Sequence, residues 1–216
     1  MIESGEMIDQ ILAAPGGLRY ENFISAAGIK GNLKIDLITA LKSLETVRYQ
    51  IVSSMSEILE EADVITGAPT GGLKLAAQVA HLTGKPLIKM EKFVDNGRIN
   101  FRVSQDVEQG LLEDEKVGLV EDVTTTRISM LKTASIPQLS GRVIMAVSAI
   151  RRGVKAPLNM NPEMIDRYNS NFTDKPPLEH KLPFDCKSVI DLPLPLMVST
   201  HDISEWLRES RNRGHE

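Results

Sequence analysis

A chain of 216 residues, 42% hydrophobic and 25% charged, is long enough for one sizeable core and has the balance of a soluble globular protein. A net charge of -4 without a basic run leaves no electrostatic footprint for nucleic acid, so no nucleic-acid partner is expected. Cys186 is the single cysteine, which excludes an internal disulfide and a cysteine-built zinc site; the acidic start and the lack of a long apolar run predict a cytoplasmic protein with no membrane partner.

Ile2, Ile8, Ile11 and Leu12 fall at roughly helical spacing over residues 2–13, and Pro15-Gly16-Gly17 ends that element. Residues 20–32 read as two short strand pieces about a Gly-rich turn, and 33–37 alternates apolar and polar as a half-buried strand does. From 39 to 61 apolar residues recur every three or four positions (Leu41, Leu44, Val47, Ile51, Met55, Ile58, Leu59), which predicts one long amphipathic helix. Residues 63–67 form a short buried strand. The loop Ala68-Pro69-Thr70-Gly71-Gly72 leads into a helix over 73–82 that stops near Gly84-Lys85-Pro86. Paired glycines opening a helix admit a ligand to the backbone, and helix N-termini favour anions; a plain tight turn uses the same pair. Residues 87–90 form the next strand.

The polar stretch 91–115 carries Asn96-Gly97 between alternating arms, which predicts a hairpin protruding over the crevice. Lys92, Arg98 and Arg102 give it cations for a polyphosphate, or a solvated charged surface. The chain is organised around the stretch 116–131. Its apolar run, Val117-Gly118-Leu119-Val120, ends on Glu121-Asp122, then on a hydroxyl-rich turn, and a helix starts near Ile128 and closes at Pro137. In a parallel α/β sheet the carboxyl ends of strands open onto the ligand crevice, which puts both carboxylates at its lip. The turn's backbone N–H groups and the hydroxyls of Thr124, Thr125, Thr126 and Ser129 make an anion seat. Carboxylates beside such a seat suit a ligand with sugar hydroxyls and a phosphate; a polar turn before a Thr N-cap gives the same pattern with no ligand.

Residues 143–149 are almost wholly apolar, as in a parallel strand covered on both faces, with Arg151-Arg152-Gly153 at its end. Residues 155–186 hold five prolines (Pro157, Pro162, Pro176, Pro177, Pro183) and read as an insertion or long connection with a helical turn near 163–168. Residues 188–192 and 196–198 are candidate last strands, and Ser199 or Thr200 caps a final helix over 202–211, where Trp206 packs. His81 and His201 lack partners at ligand spacing, and Cys186 lacks the basic surroundings of a reactive thiol. The alternation predicts an α/β fold, a doubly wound, mostly parallel sheet flanked by helices with right-handed crossovers. Three pieces converge at the crevice: 68–72, 121–129 and the cations after 143–149.

The acidic-pair segment Leu119-Val120-Glu121-Asp122-Val123-Thr124-Thr125-Thr126 resembles the phosphoribosyl pyrophosphate signature of the type I phosphoribosyltransferases. Ile65-Thr66-Gly67-Ala68-Pro69-Thr70-Gly71-Gly72-Leu73-Lys74-Leu75-Ala76 is similar to the pyrophosphate loop of the family's orotate branch. Ala27-Gly28 with Ile35-Asp36-Leu37 resembles the branch's N-terminal hood, and Val198-Ser199-Thr200-His201-Asp202-Ile203 its last strand and helix. The resemblance implies a pentosyltransferase of pyrimidine nucleotide (UMP) synthesis that moves a 5-phosphoribosyl group onto orotate, giving orotidine 5′-monophosphate and pyrophosphate. It also implies Mg²⁺ and a homodimer. By the same token Glu121 and Asp122 hold the ribose hydroxyls, Thr124 to Arg127 and Ser129 seat the 5′-phosphate, and Pro69, Thr70, Gly71 and Gly72 bind pyrophosphate. A hairpin cation, with Lys92 the nearest, stabilises the leaving group, and Arg151 pairs with the orotate carboxylate. The implied layout is one domain: hood 1–38, core 39–152, Pro-rich insertion 153–187, and C-terminal strand and helix 188–216.

Several positions depart from the family pattern. Arg127-Ile128 stands where the phosphate loop has small residues, usually glycine with Thr or Ser. Val94 falls where the hairpin lysine aligns, and the hairpin opens on Lys89-Met90-Glu91-Lys92 in place of an Arg-Lys pair. Ala26 replaces a lysine, Leu33, Lys34 and Ile35 replace an aromatic pair, and Ile150 replaces an acid. These departures leave two alternatives open: a non-catalytic homologue that binds phosphoribosyl pyrophosphate or a nucleotide as a regulator, or transfer to another base.

Overall fold

The computed structural model describes residues 2–24, 30–95, 98–104, 114–172, 175 and 177–192. Helix α1 (Ser4–Ala13) buries Ile8, Ile11 and Leu12 as the apolar spacing predicts, with Met7 beside them, while Ile2 precedes the helix and is half-buried. An antiparallel pair comes next, β1 (Leu18–Ile24) and β2 (Lys30–Ile35), with Leu18 opposite Ile35. In β2 Leu33 and Ile35 are buried while Lys34 is exposed, so the period-two reading holds, but the strand stops at Ile35 rather than at residue 37. Asp36 ends it: its carboxylate accepts from the Thr39 N–H at 3.0 Å and starts a short helix, α2 (Leu37–Ala40).

The single long helix expected over 39–61 is therefore two elements, α2 and α3 (Glu45–Ile58). The Ser43 hydroxyl donates back to the Ala40 carbonyl at 3.2 Å, a local bond that competes with helix continuation. Leu41 on one side of the break and Val47, Ile51 and Met55 on the other enter the same core, so the apolar spacing ran through a turn it could not reveal.

β3 (Val64–Gly67) is buried throughout, and α4 (Gly71–Thr83) ends on Gly84 in the left-handed conformation. β4 (Leu87–Ile88) leads into the hairpin of β5 (Met90–Asp95) and β6 (Arg98–Val103), paired from Met90–Val103 to Asp95–Arg98; its turn, 96–97, lies outside the described residues. Next come β7 (Val117–Thr124), α5 (Ile128–Ala134), β8 (Val143–Arg151) and β9 (Val154–Lys155). Within the insertion, α6 (Pro162–Asn171) is capped by the Asn161 side chain, and β10 (Leu178–Glu179) pairs parallel with β9. β11 (Asp185–Asp191) completes the described chain; the expected strand at 196–198 and helix at 202–211 fall outside it.

The central sheet has the order β11-β8-β7-β3-β4, all parallel, with helices on both faces, as the alternation predicts. Along β7, Val117 and Leu119 join one apolar cluster and Val120 the other, which is why this strand reads as a continuous apolar run. From β3 the chain moves to one edge, then returns to β7 and proceeds to the other. That reversal makes β3 and β7 the topological switch point, where ligand crevices form at strand carboxyl ends. Among the described residues no helix is long and apolar enough to cross a membrane.

Candidate functional site

The loop after β3 lies directly on β7. The Ala68 N–H donates to the Val120 carbonyl at 2.9 Å, and the Leu73 N–H returns to the Ala68 carbonyl at 3.1 Å. A Cβ at Gly72 would stand 2.5 Å from the Val120 oxygen and 2.9 Å from Glu121 Cα, so only glycine fits between α4 and the central strand. A Cβ at Gly71 would overlap the Asp122 carboxylate. The Pro69–Thr70 peptide in this loop is cis. The paired glycines therefore bring the loop's backbone against the acidic pair.

The two acids occupy different environments. Asp122 is half-buried and lines a cleft of about 200 Å³. Glu121 is 5% exposed; its Oε1 accepts from the Asp122 N–H at 3.2 Å and lies beside Gly72. Burial first, and then the neighbouring Asp122 charge, pushes the Glu121 carboxyl well above the usual range, with a Ser129 hydrogen bond opposing the shift. A carboxyl that holds its proton more tightly when folded stabilises the fold below its unfolded titration range. It loses that contribution as pH rises through the raised value. Glu121→Gln should therefore melt progressively higher than the parent as pH rises from the ordinary carboxylate range toward neutrality. Melting curves across that range check this, and a difference independent of pH would overturn it. Glu179, also raised by burial, keeps a slope of the same sign in both proteins.

Opposite Asp122, the hood supplies Phe23, Lys34 and Ile35 to the cleft, and the turn after β7 supplies Thr125, Thr126, Ile128 and Ser129. Thr124 is buried at the end of β7 and does not line the cleft. α5 has seven residues, so the anion seat rests on the turn rather than on a long helix's N-terminus.

Arg127 also stays out of the cleft lining. It takes φ 63, and its guanidinium pairs with Glu179 at 3.0 Å. Arg151, expected to face the base, pairs instead with Asp191 at 2.6 Å and lies 3.8 Å from Glu179. Of the two adjacent arginines the one that lines the cleft is Arg152, which is 2% exposed and donates from Nη1 to the Leu33 carbonyl at 2.6 Å. Neighbouring residues of an extended segment face opposite sides, so the β8 register, with Arg151 level with Thr124 and Asp191, decides which arginine turns inward. Burial lowers the Arg152 guanidinium to about 10, which leaves it cationic at neutral pH. The sequence placed the Arg151-Arg152 pair at the crevice but gave the base contact to Arg151 rather than Arg152, and it assigned no role to Lys34 or Phe23. The alternation of β2 and β8 was the available signal for Lys34 and Arg152.

On the hairpin, Arg102 is held by Glu91 at 3.0 Å and lies over the Phe93 ring, while Lys92 is exposed and does not line the cleft. The hairpin's base is fixed by Met90 and Val103, which share a buried cluster with Met130 of α5. Among the described residues no three His, Cys, Asp or Glu side chains gather as a metal cage. Asp122 and the Thr125 and Thr126 hydroxyls offer hard oxygen donors, which suit a cation that keeps its waters and shares a phosphorylated ligand.

No family model matches the chain. It is 27% identical over 154 residues to orotate phosphoribosyltransferase of Thermococcus gammatolerans, covering 69% of this chain and 79% of that one. It is 29% identical over 141 residues to orotate phosphoribosyltransferase of Methanocaldococcus jannaschii, covering 65% and 77%. Among solved structures, orotate phosphoribosyltransferase from Aeropyrum pernix superposes with a TM-score of 0.58 at 20% identity, covering 94% of this chain and 98% of that one. Adenine phosphoribosyltransferase from Thermoanaerobacter pseudethanolicus gives 0.50 at 15% identity, covering 82% and 96%. These two structural likenesses show the fold.

Proposed function

We propose that the chain is a type I phosphoribosyltransferase that transfers the 5-phosphoribosyl group of phosphoribosyl pyrophosphate to orotate, yielding orotidine 5′-monophosphate and pyrophosphate in pyrimidine nucleotide synthesis. The observation that carries this reading is Asp122, which meets Gly71 at the sheet's switch point and lines one cleft with Thr125, Thr126, Ser129 and Arg152. Curated relatives named orotate phosphoribosyltransferase give the base.

In this reaction the bond from ribose C1 to the pyrophosphate oxygen breaks, a bond from C1 to a base nitrogen forms, and that nitrogen's proton passes to solvent or to the departing pyrophosphate. Positive charge builds on the ribose ring, and negative charge on the leaving group. Asp122 accepts from the ribose hydroxyls and opposes the ring's charge. Glu121, buried behind it, holds the Asp122 backbone in place. Thr125, Thr126, Ile128 and Ser129 take the 5′-phosphate through N–H groups and hydroxyls, and the loop after β3 takes pyrophosphate at exposed Thr70 and half-buried Gly71. Arg152 and Lys34 give the base side of the cleft the cations that a carboxylated base calls for. Mg²⁺ fits through Asp122 and the substrate's own oxygens, and when bound it neutralises leaving-group charge. The proposal further takes the protein to be one domain and a cytoplasmic homodimer; Tyr49 and Leu82, exposed on α3 and α4, are apolar surface that an assembly would cover.

The test is loss of orotate absorbance with phosphoribosyl pyrophosphate and Mg²⁺, beside calorimetric binding of phosphoribosyl pyrophosphate. Asp122→Asn should lower kcat/KM by about 100-fold or more, the scale of removing one preorganised electrostatic contact. Unchanged kinetics would remove Asp122 from the site. Lys92→Ala should lower kcat by about tenfold if Lys92 is the hairpin cation; unaffected turnover assigns that charge elsewhere. Val94, 69% exposed on the hairpin, favours a second reading as a non-catalytic binder. Tight phosphoribosyl pyrophosphate binding with no turnover on orotate or any other base would select it; turnover on another base alone would change the acceptor.

A further inference from the structure

The insertion grips the phosphate turn from behind. In α6, Asn169 accepts from the Leu178 N–H at 2.7 Å and donates to the Leu178 carbonyl at 2.9 Å, which fixes β10. The next two residues then reach the turn. Glu179, 2% exposed, meets Arg127 at 3.0 Å. His180 donates to the Thr126 carbonyl twice, from its backbone N–H at 3.0 Å and from Nδ1 at 2.7 Å, while its Nε2 lies 2.8 Å from Asp166.

Arg127 needs such a grip. Its φ of 63 lies in the left-handed region, where an L side chain is strained and glycine is not. Thr126 and Ile128, on either side, line the cleft, and the Arg127 carbonyl accepts the first bond of α5, from the Leu131 N–H at 2.9 Å. If Arg127 relaxed to negative φ, the N–H groups of 126–129 would swing and the seat would lose its shape.

We propose that Glu179 is a positioning residue for 5′-phosphate binding: by pairing with Arg127 it holds the turn in the left-handed conformation that glycine would adopt unaided. This rests on the reading of the cleft as a phosphoribosyl pyrophosphate site. The Pro-rich insertion thus shapes the substrate site without touching substrate, and Arg127 is not itself a phosphate ligand.

The test uses the full chain and three variants: Glu179→Gln, Arg127→Gly and the double variant. Calorimetric titration with phosphoribosyl pyrophosphate should show at least tenfold weaker binding for Glu179→Gln, with the affinity restored to within about threefold of the parent in the double variant. Arg127→Gly alone should bind within the same threefold. Hydrogen exchange of the Leu131 amide, read without ligand, should quicken in Glu179→Gln and return toward the parent rate in the double variant. A purely structural role for Glu179 would leave the double variant as weak as the single one and overturn the proposal. So would a tenfold loss in Arg127→Gly, which would make Arg127 a phosphate ligand. Should Glu179→Gln fail to fold, the double variant against the parent decides on the same threefold limit. If the parent binds no phosphoribosyl pyrophosphate, the functional reading fails, and the Leu131 amide alone supports or overturns the grip on the turn.

Discussion

Gly72→Ala is expected to damage the fold, and its neighbour Gly71→Ala the site. At Gly72 the added methyl meets the Val120 oxygen at 2.5 Å and Glu121 Cα at 2.9 Å, both backbone atoms of the central strand. Neither can yield without lifting α4 from the sheet, which costs about 1–3 kcal/mol or more and lowers the thermal midpoint by several degrees. At Gly71 the methyl meets the end of the Asp122 side chain, which can rotate away. Stability should then change by less than about 1 kcal/mol, while Asp122 leaves the position from which it would bind ribose. Binding of phosphoribosyl pyrophosphate should fall by about 100-fold, near the effect of Asp122→Asn. Thermal melts and calorimetry on both variants separate the two outcomes. Parent-like binding by Gly71→Ala would show that Asp122 does not act from its present place.

Arg152→Met and Arg151→Met should behave differently although the residues are adjacent. Arg152 ties the hood to the core through the Leu33 carbonyl, so its loss leaves a buried acceptor and costs about 1–3 kcal/mol. The same change strips the cleft of its buried cation, and the KM for orotate should rise at least tenfold, the loss of one charge-assisted contact. Arg152→Lys should recover little, since a lysine lacks the planar fork that serves two sites at once. Arg151→Met gives up pairs with Asp191 and Glu179 outside the cleft and should keep the orotate KM within about threefold of the parent. The reverse ranking, with Arg151 controlling orotate, would overturn the assignment of the cleft's cation.

What could be read in advance was whatever repeats at short range. The apolar run of β7 ending on Glu121 and Asp122, the two glycines that open α4 and the alternating arms of β5 and β6 are local patterns, and each lies where its spacing puts it. The break between α2 and α3 was hidden because Leu41 and Val47 serve one core and the turn between them leaves the spacing intact. The choice between Arg151 and Arg152 turned on strand register, fixed by partners about 27 and 40 positions away along the chain. Arg127 was open to either reading because its partner, Glu179, comes from a segment with no periodic signal at all.

The bond from Arg152 to the Leu33 carbonyl spans 119 positions of chain. During synthesis the hood leaves the ribosome ahead of β8, so this bond closes only once Arg152 has emerged. At about 5–20 residues per second that delay is roughly 6–24 s. Through it the carbonyl of Leu33, a residue buried in the finished protein, waits without its Arg152 donor. The hood is thus tied down late, and in a nascent chain halted before Arg152 it should be cut by protease faster than in the finished protein.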